Sequence, residues 1–476
     1  MKKVIIIGAG VVGSAIARTL SAFNFDITLI EKNSDVGTGT SKGNSAIVHT
    51  GFDAPVGSLE AEMVTSSNPS FDYITEELGV EFNRTGALLI AFNDNEIELF
   101  DKLIEKAKQN NVNNVKIVEK EQLFEMEPNI NSEAKKAIFV PDEGGICPFN
   151  LVVKRVMNAV ENGVKLNLNT KVIGIKVVNG KVKGVETENN FFEADYVINA
   201  AGLYSDQVAQ MVGIDNFSIN PRKGEFIVFD KKYNPINHII LPLPSAKTKG
   251  ILIFPSIYGN LIAGPTAEDI LDKEDTSTTE EGLNKVVIGV KKFLPNVNLN
   301  KVIKQYAGLR AAGDTRDFII NINEKVKGFV NVAQIRSTGV SASPAISFKV
   351  LKLLEKDGVI LKKNENFNPK LKVNKRFAIM SDNEKENIIF NNPKYGKIVC
   401  RCENVTEAEI INAINHPVGA KDVDGIKRRT RAGMGRCQGC FCGMKTPHIL
   451  ARELNIPLKD VKKKQGNSKL FKGKIK

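Results

Sequence analysis

The chain has 476 residues, of which 42% are hydrophobic and 25% charged, as expected for a globular protein with two or three domains. Its formal net charge of +12 suggests anionic partners. The lysines are scattered, Trp is absent and no motif interleaves aromatic with basic residues, which argues against nucleic-acid binding. The uncharged stretch at 4–17 follows MKK like a signal peptide, but three glycines interrupt it. We therefore expect a cytoplasmic protein without a transmembrane helix.

The first thirty residues predict a dinucleotide-binding unit. The β-branched run at 4–7 is typical of a buried parallel strand, and a helix and a second strand follow it. Gly8, Gly10 and Gly13 form G-x-G-x-x-G, which permits a sharp turn, close approach of N–H groups to a pyrophosphate, and close helix packing. Glu31 ends the second strand, where a carboxylate can bind a ribose. This pattern favours a dinucleotide site over an ordinary turn, without choosing between NAD and FAD.

A long loop rich in Gly, Ser and Thr follows Glu31, and such loops commonly wrap a ligand. Its S-x-x-x-S-x-x-x-H-x-G stretch, formed by Ser41, Ser45, His49 and Gly51, resembles the segment beside the flavin in the FAD-dependent amino-acid-oxidase and glycerol-phosphate-dehydrogenase superfamily. This version is most similar to the branch that contains 2-hydroxyglutarate oxidases and anaerobic glycerol-3-phosphate dehydrogenases. The resemblance makes His49 a catalytic candidate, with a purely structural histidine as the alternative.

Two further glycine turns extend the resemblance. VINAAGLYSD is similar to a turn that the superfamily places against FAD, with a strand predicted at Tyr196–Asn199 and a helix opening at Ser205 or Asp206. RSTGV is similar to a turn whose N–H groups face the flavin pyrimidine ring, at a helix N-terminus that stabilises negative charge on reduced flavin. The residues that the resemblance assigns to FAD in these turns are Ala201, Gly202, Thr338, Gly339 and Val340.

The intervening segments carry weaker signals. Apolar periodicity predicts an amphipathic helix over 93–109, a second helix begins near Phe149, and Asn179-Gly180 predicts a type I′ hairpin. From about 210 to 300 the chain is strand-rich, which predicts a largely antiparallel substrate domain laid over the flavin.

Arg310 stands within YAGLRAAG, where the superfamily commonly has a GLR motif whose arginine points into the substrate cavity. A guanidinium fork suits a carboxylate or phosphate because two parallel N–H···O bonds fix the anion. The alternative is an ordinary surface arginine. Arg316 is a weaker second candidate, and 222–225 and Thr266 fall in stretches that also recur in the superfamily.

Five of the six cysteines lie within 400–442, which indicates a metal site rather than a disulfide framework. Thr406-x-x-Glu409 predicts a capping box that opens a helix after the first two cysteines. Thr446-Pro447 predicts another helix after the last three, with Pro at its first position. Two helix N-termini beside a group of thiolates would offset their negative charge.

The cysteine module resembles the bacterioferritin-associated-ferredoxin module, which binds a 2Fe–2S cluster. In the versions fused to flavin dehydrogenases the last ligand follows the third by five residues, whereas the module alone uses C-x-x-C, which would favour Cys440. Zinc is the competing interpretation, although zinc ribbons usually show two C-x-x-C pairs. The ligand set implied by the fused versions is Cys400, Cys402, Cys437 and Cys442, with Cys440 as the alternate.

The predicted fold is therefore α/β + α: a Rossmann-like FAD-binding domain with an interleaved antiparallel-sheet substrate domain, plus a small helical C-terminal 2Fe–2S domain. The predicted boundaries are 1–360 for the FAD-dependent oxidoreductase domain, 361–395 for a linker, 396–456 for the cluster domain and 457–476 for a basic tail. For the tail, a solvated disordered end is favoured over contact with an anionic membrane surface or an acidic partner.

The two-module layout and the RRTRAGMG stretch most resemble the catalytic subunit of anaerobic glycerol-3-phosphate dehydrogenases. The resemblance implies oxidation of sn-glycerol 3-phosphate to dihydroxyacetone phosphate, with Arg310 holding the anionic group and His49 as the base candidate. Electrons would pass from FAD to the cluster and on to a second flavoprotein or electron-acceptor subunit. That partner, or the basic tail, would place the protein at the inner face of the membrane. The alternatives are a 2-hydroxyacid, amino-acid or amine dehydrogenase, and a non-catalytic electron-transfer or iron-handling protein.

Overall fold

The computed structural model describes residues 1–243 and 250–473. Its strands are β1 Lys2–Ile7, β2 Phe25–Ile30, β3 Ile47–Val48, β4 Phe82–Asn83, β5 Ala87–Ala91, β6 Lys116–Val118, β7 Lys136–Val140, β8 Gly144–Ile146, β9 Lys165–Asn167, β10 Val172–Val178, β11 Lys181–Thr187, β12 Phe191–Glu193, β13 Tyr196–Asn199, β14 Ile219–Phe229, β15 Ile239–Pro242, β16 Leu252–Pro255, β17 Leu261–Gly264, β18 Glu268–Asp269, β19 Val302–Gly313, β20 Ile319–Ile322, β21 Phe329–Ala333, β22 Ile398–Cys400 and β23 Val405–Thr406. Its α-helices are α1 Val11–Ser21, α2 Leu59–Ser67, α3 Phe71–Leu78, α4 Asp94–Ile97, α5 Phe100–Gln109, α6 Lys120–Met126, α7 Pro148–Glu161, α8 Ser205–Gln210, α9 Glu280–Phe293, α10 Gly339–Lys356, α11 Asp382–Asn391, α12 Glu407–Asn415, α13 Val423–Thr430 and α14 Lys445–Leu454.

A six-stranded sheet forms the centre of the molecule, in the order β20-β21-β13-β1-β2-β9. All its pairings are parallel except that of β20 with β21. Because side chains alternate along a strand, Val4 and Ile6 of β1 pack against α1, α7 and α10, while Ile5 and Ile7 pack against the small sheet β10-β11-β12. This layered parallel sheet confirms the expected Rossmann-like unit.

A second, mainly antiparallel sheet follows the order β18-β14-β17-β16-β15-β5-β7-β6, with β19 paired along β14. Among the described pairings of this sheet, only that of β15 with β5 is parallel. The strand-rich, largely antiparallel stretch expected from about 210 to 300 contains β14 to β18, and α9 follows them and buries Val286, Val290 and Phe293 against the sheet. A short sheet, β3-β8-β4, lies where the two large sheets meet and brings residues near 48 against residues near 144.

The C-terminal region packs α12, α13 and α14 around its own apolar core beside β22-β23. The capping box of Thr406 and Glu409 is present as predicted. Pro447, in contrast, is the third residue of α14 and not the first. The segment before the module contains α11, and its Phe377 and Met380 pack with Tyr395.

The prediction of a disordered end was wrong for the first part of the tail. Val461 is fully buried in the core of the C-terminal region, and the carbonyls of Lys462 and Lys463 accept hydrogen bonds from Val423 N–H and Asp424 N–H. The tail therefore packs on the start of α13. Its last residues, 474–476, lie outside the described part of the chain.

The amphipathic helix predicted over 93–109 is two helices, α4 and α5, separated at Glu98 and Leu99. The hairpin at Asn179-Gly180 is confirmed, with both residues at positive φ between β10 and β11. Within the described residues, every helix is too short or too polar to cross a lipid bilayer.

Candidate active site and cysteine centre

The first glycine turn joins β1 to α1 in the tight geometry that its sequence predicts. Gly8 has φ +103°, and a Cβ at Gly13 would overlap the carbonyl oxygen of Gly8, so both positions need glycine. Gly10 precedes the first residue of α1, and Val11 N–H donates to Ser41 Oγ at 2.9 Å. The loop after Glu31 thus returns to the N-terminus of α1 and places Ser41 there.

Glu31 lies at the end of β2 and is buried against this turn. Its carboxylate accepts hydrogen bonds from Ala9 N–H and Asn33 N–H, both at 3.0 Å. Burial raises the pKa of Glu31, and these two N–H donors partly offset that effect. The residue therefore stands where the sequence predicts it, beside the turn that approaches a pyrophosphate.

The three glycine turns converge on one cleft. A Cβ at Gly8 would lie 2.5 Å from the carbonyl oxygen of Ala200, which begins the turn of Ala201 and Gly202. A Cβ at Gly339, the first residue of α10, would lie 3.9 Å from Val11 Cγ1. Two helix N-termini without an acidic residue in their first turns therefore stand side by side. Adjacent positive helix ends suit the phosphates and the reduced ring of a flavin dinucleotide, so these residues fit FAD.

A cavity of about 410 Å³ opens between this cleft and the second sheet, a volume typical of small-molecule sites. The stacked rings of Phe226 and Tyr306, 4.6 Å apart, join β14 to β19 at its wall. Tyr306 also donates to the Asn44 carbonyl at 2.9 Å, which holds the loop over the strands. The polar residues that line the cavity include Ser45, His49, Glu60, Arg222, Arg310 and Arg336.

His49 directly follows β3 and is oriented by a buried carboxylate. Its Nδ1 lies 2.8 Å from Glu143 Oε2, and the other oxygen of Glu143 accepts bonds from Thr50 N–H and Thr50 Oγ1. Glu143 is completely buried, and the β3–β8 pairing brings it to His49. A carboxylate at Nδ1 favours the tautomer with its proton there, so Nε2 is the basic nitrogen of the ring. This geometry suits a general base.

Arg310 lies in β19, directly opposite Arg222 in β14. Its Nη2 donates to the Thr266 carbonyl at 3.2 Å, while its buried Nη1 has no hydrogen-bond partner among the described residues. Burial lowers the pKa of Arg310 to about 10, so the side chain remains cationic at neutral pH. Arg222 forms a fork with Asp269 at 2.6 and 2.9 Å. An unsatisfied buried donor beside a second arginine is an arrangement that binds an anion.

Arg316, the weaker anion candidate, is exposed in the turn after β19. Arg336 lines the cavity instead, and its Nη2 donates to Glu60 Oε2 at 2.5 Å. The other oxygen of Glu60 accepts from Thr338 Oγ1 at 2.8 Å. Glu60 therefore fixes both Arg336 and the residue before α10 at the floor of the cavity.

The clustered cysteines form two thiol pairs. Cys402 and Cys437 lie 3.5 Å apart between their Sγ atoms, and the Cys400 and Cys442 side chains are hydrogen-bonded. Cys442 is buried, whereas Cys440 is exposed. Across residues 1–243 and 250–473, no three Cys, His, Asp or Glu side chains are gathered closely enough for a single metal ion.

Backbone N–H groups surround the thiols. The hydrogen bond from Cys442 lowers the pKa of Cys400 to about 6, and the N–H groups of Gly433 and Glu403 act in the same direction. The Phe441 N–H is the main cause of the lowered pKa of Cys437. N–H donors at thiolate sulfurs stabilise an anionic cluster, so these loops fit an iron–sulfur centre.

A buried ion pair and a cation–π contact attach the cysteine region to the rest of the chain. Asp35, in the loop after Glu31, accepts hydrogen bonds from Arg429 at 2.7 and 2.8 Å and also from Arg428. Arg431 pairs with Glu403 at 2.8 Å, and its guanidinium lies 3.8 Å from the centre of the Tyr258 ring. The cysteine centre is therefore held against the loop that borders the candidate FAD cleft.

Comparison with known proteins agrees with this geometry. The family model for FAD dependent oxidoreductases matches residues 3–350, which is most of the chain. The chain belongs to this family. A second model, for the BFD-like 2Fe–2S binding domain, matches residues 398–452 and contains all five clustered cysteines. FAD and a 2Fe–2S cluster are thus the cofactors of this flavoprotein.

Two relatives align over nearly the whole chain of this flavoprotein. A glycerol 3-phosphate dehydrogenase of Caloramator mitchellensis is 42% identical, over 100% of this chain and 99% of the relative. The anaerobic glycerol-3-phosphate dehydrogenase subunit A1 of Haloferax volcanii is 25% identical over 95% of this chain and 84% of its own length. The FAD-bound L-alpha-glycerophosphate oxidase of Mycoplasma pneumoniae superposes with a TM-score of 0.74 at 29% identity, covering 79% of this chain and all of the oxidase.

The structure brings together most of the residues that the sequence predicts, and it adds others. Glu143, Glu60 and Arg336 had no sequence signal, because each acts through a partner distant in the chain. Arg222 lies in a stretch that resembles the superfamily, yet only its register opposite Arg310 shows what it does. Asp35 had no signal either, since its partners are Arg428 and Arg429.

Proposed function

We propose that this flavoprotein oxidises sn-glycerol 3-phosphate to dihydroxyacetone phosphate and delivers the electrons, through its cluster, to a partner. The observation that carries the proposal is Arg310, which lines the cavity that contains His49 and whose buried Nη1 has no partner within the described residues. The extensive identity to a protein named glycerol 3-phosphate dehydrogenase supports it.

Arg310 and Arg222 form the phosphate site in this proposal. Arg310 offers an unsatisfied N–H and a positive charge that persists at neutral pH, since its pKa is about 10. The phosphate competes with Asp269 for the Arg222 fork, which is partly open to solvent. Hydrogen bonds to charged groups contribute about 1.5–3 kcal/mol each, so two of them account for strong selection of a phosphorylated substrate.

His49 is the general base. Glu143 holds Nδ1–H at 2.8 Å and keeps Nε2 basic, so that His49 Nε2 takes the proton of the substrate hydroxyl. Glu143 then stabilises the imidazolium, since its carboxylate is buried and adjacent. When bound, FAD supplies the acceptor for the hydride that leaves the carbinol carbon.

For the cofactors we propose the residues that the geometry brings to each site. At the cluster, Cys440 lies outside the ligand set because it is exposed, whereas Cys442 is buried against Cys400. The residues proposed to contact FAD are Gly8, Gly10, Gly13, Glu31, Ser41, Ser45, Ala201, Gly202, Thr338, Gly339 and Val340. The proposed cluster ligands are Cys400, Cys402, Cys437 and Cys442.

The domain division that we propose remains 1–360, 361–395 and 396–456, and burial of Val461 extends the last unit beyond 456. Leu371 and Val418 pack into the core of the first domain, so the three units share packing. We also propose that the protein works in the cytoplasm with a second flavoprotein or electron-acceptor subunit, at the inner face of the membrane. Relatives named as subunits A and A1 support a multi-subunit arrangement.

Anaerobic dye reduction tests the activity. The purified protein, containing FAD and the cluster, is mixed with a redox dye and with glycerol 3-phosphate, 2-hydroxyglutarate or an amino acid. We expect the dye to bleach with glycerol 3-phosphate alone. Bleaching only with 2-hydroxyglutarate or an amino acid would establish the rival dehydrogenase activity. No bleaching with any of the three would refute the proposed dehydrogenase activity.

A further inference from the structure

The two loops that contain the cysteines also present an exposed surface, which we call the cluster face. It consists of Arg401, Arg436, Phe441, Met444 and Lys445, all exposed. Each adjoins the clustered cysteines in sequence or, for Met444 and Lys445, follows Cys442 within three residues. Because the thiols of the two loops pair with one another, these residues gather around one centre.

Two large apolar side chains lie open on this face. Phe441 is 72% exposed and Met444 is 58% exposed, whereas Cys442, which lies between them in the sequence, is buried in the core of this region. Exposed aromatic and Met side chains of this kind are enriched in protein interfaces, where they contribute contact area. The apolar part of the cluster face is therefore suited to a protein partner.

The charged residues of the cluster face are all cationic. Residues 400–404 and 431–445 contain four cationic side chains and one acid, Glu403. Glu403 is buried and pairs with Arg431, and Lys231 reaches it from the first domain at 3.5 Å. Lys231 is itself partly exposed and donates to the Cys402 carbonyl at 2.9 Å. The exposed charges on these two loops and on Lys231 are positive.

Arg436 is a surface cation whose side chain stays exposed despite an ion pair within the protein. Its only ion pair among the described residues is with Asp230 at 3.5 Å, and the Arg436 side chain remains 71% exposed. The buried Arg431, in contrast, provides the internal compensation for Glu403. The cations on the surface are thus available to an external anionic surface.

We propose that the cluster face docks a small protein with an acidic surface that carries one electron at a time. The proposal rests on the proposed function and specifies where its electrons leave the protein. Each oxidation of the alcohol releases two electrons and two protons, so two molecules of the carrier are each reduced by one electron per turnover. The cations steer the acidic carrier to the face, and Phe441 and Met444 form the central contact.

An acidic flavodoxin serves as the probe carrier. The full protein, reduced with dithionite and freed of excess reductant, is mixed with oxidised flavodoxin in a stopped-flow experiment, which requires no substrate. For Arg401→Glu/Lys445→Glu we expect the second-order rate at low salt to fall at least tenfold and its salt dependence to flatten. Dye reduction with glycerol 3-phosphate stays within twofold of the native rate, because these residues lie outside the cavity.

The matched control is Lys171→Glu/Lys183→Glu, which reverses two exposed lysines, one directly before β10 and one in β11, and should leave the flavodoxin rate within twofold. Iron content and the visible spectrum confirm an intact cluster in both variants. Phe441→Ser should slow transfer at high salt as well, where steering is screened. An equal fall of the flavodoxin transfer rate in both charge variants, or no fall in either, would contradict the docking proposal. The proposed enzymatic activity is tested separately by dye reduction.

A membrane surface is the rival occupant. Vesicles of phosphatidylglycerol and phosphatidylcholine test it by co-sedimentation. Loss of vesicle binding in Arg401→Glu/Lys445→Glu with an unchanged flavodoxin rate would overturn the proposal in favour of a lipid surface. If the native protein bleaches the dye but transfers no electrons to flavodoxin, the proposal of an acidic carrier is wrong. If it transfers electrons to flavodoxin but does not bleach the dye with glycerol 3-phosphate, the docking proposal stands and the proposed substrate is wrong.

Discussion

The substrate cavity and the cysteine centre are assembled in opposite ways. In the cavity each key side chain is positioned by a residue far along the chain: 94 positions separate His49 from Glu143, and 276 separate Glu60 from Arg336. In the cysteine centre the thiols and the N–H groups around them come from two short loops. The cavity therefore depends on the register of its sheets, whereas the cysteine centre depends on the spacing of its own residues.

The largest effect is expected at the cysteine centre, where one substitution should remove a cofactor. Cys442→Ser should abolish the stable cluster, because the buried thiol is one of four ligands, while FAD content and dye reduction remain near native. Iron content and the visible spectrum measure this outcome. Cys440→Ser is the matched control, since the exposed Cys440 lies two residues away and should be dispensable. Full iron content in Cys442→Ser would show that our ligand assignment is wrong.

In the cavity the largest effect is expected at His49. Loss of a general base typically costs about 10²–10⁴-fold, so His49→Ala should reduce kcat with glycerol 3-phosphate by about a thousandfold, with FAD still bound. Anaerobic dye reduction per mole of FAD measures it. His238 provides a matched control because its Nδ1 also pairs with a buried carboxylate, Glu127 at 2.7 Å, but outside the cavity lining. Similar losses in His49→Ala and His238→Ala would contradict a catalytic role for His49.

This contrast explains what could be predicted from the sequence. The strand Tyr196–Asn199 and the capping box of Thr406 and Glu409 were correct because local patterns specify them. The Glu143–His49 pair was not predictable, since it requires the β3–β8 pairing. The break at Leu99 was also missed, because apolar periodicity continues across it. Local motifs can thus be predicted from the sequence, whereas contacts that depend on strand register cannot.

An intermediate effect is expected at Arg310. Lysine keeps the charge but loses the planar fork, so Arg310→Lys should raise KM for glycerol 3-phosphate by about 10–100-fold, the equivalent of one charge-assisted hydrogen bond. Steady-state dye reduction measures KM, and inhibition by inorganic phosphate should weaken in parallel. Arg316→Lys is the matched control, because Arg316 is exposed after β19 and should leave KM unchanged. An unchanged KM in Arg310→Lys would place the phosphate elsewhere.

The smallest effect on turnover is expected where the two regions meet. Asp35→Asn leaves Arg428 and Arg429 buried without their shared carboxylate, and breaking such a pair costs about 3–5 kcal/mol. We expect faster hydrogen exchange in α13 and several-fold slower electron transfer to flavodoxin, with dye reduction within twofold of native. Asp26→Asn is the control, since its partner Lys165 is largely exposed and such pairs contribute about 0–1 kcal/mol.

The same contact has a predictable pH dependence. Although burial opposes ionisation, the hydrogen bonds and charges of Arg429 and Arg428 lower the pKa of Asp35 below its ordinary value. Its contribution is therefore complete above the unfolded pKa of about 3.9 and is lost as the pH falls through the lower folded value. Exchange in α13 should accelerate only at acidic pH in the native protein and at all pH values in Asp35→Asn. Unaltered exchange in the variant would mean that the cysteine centre is held by its remaining contacts, chiefly Arg431 on Tyr258.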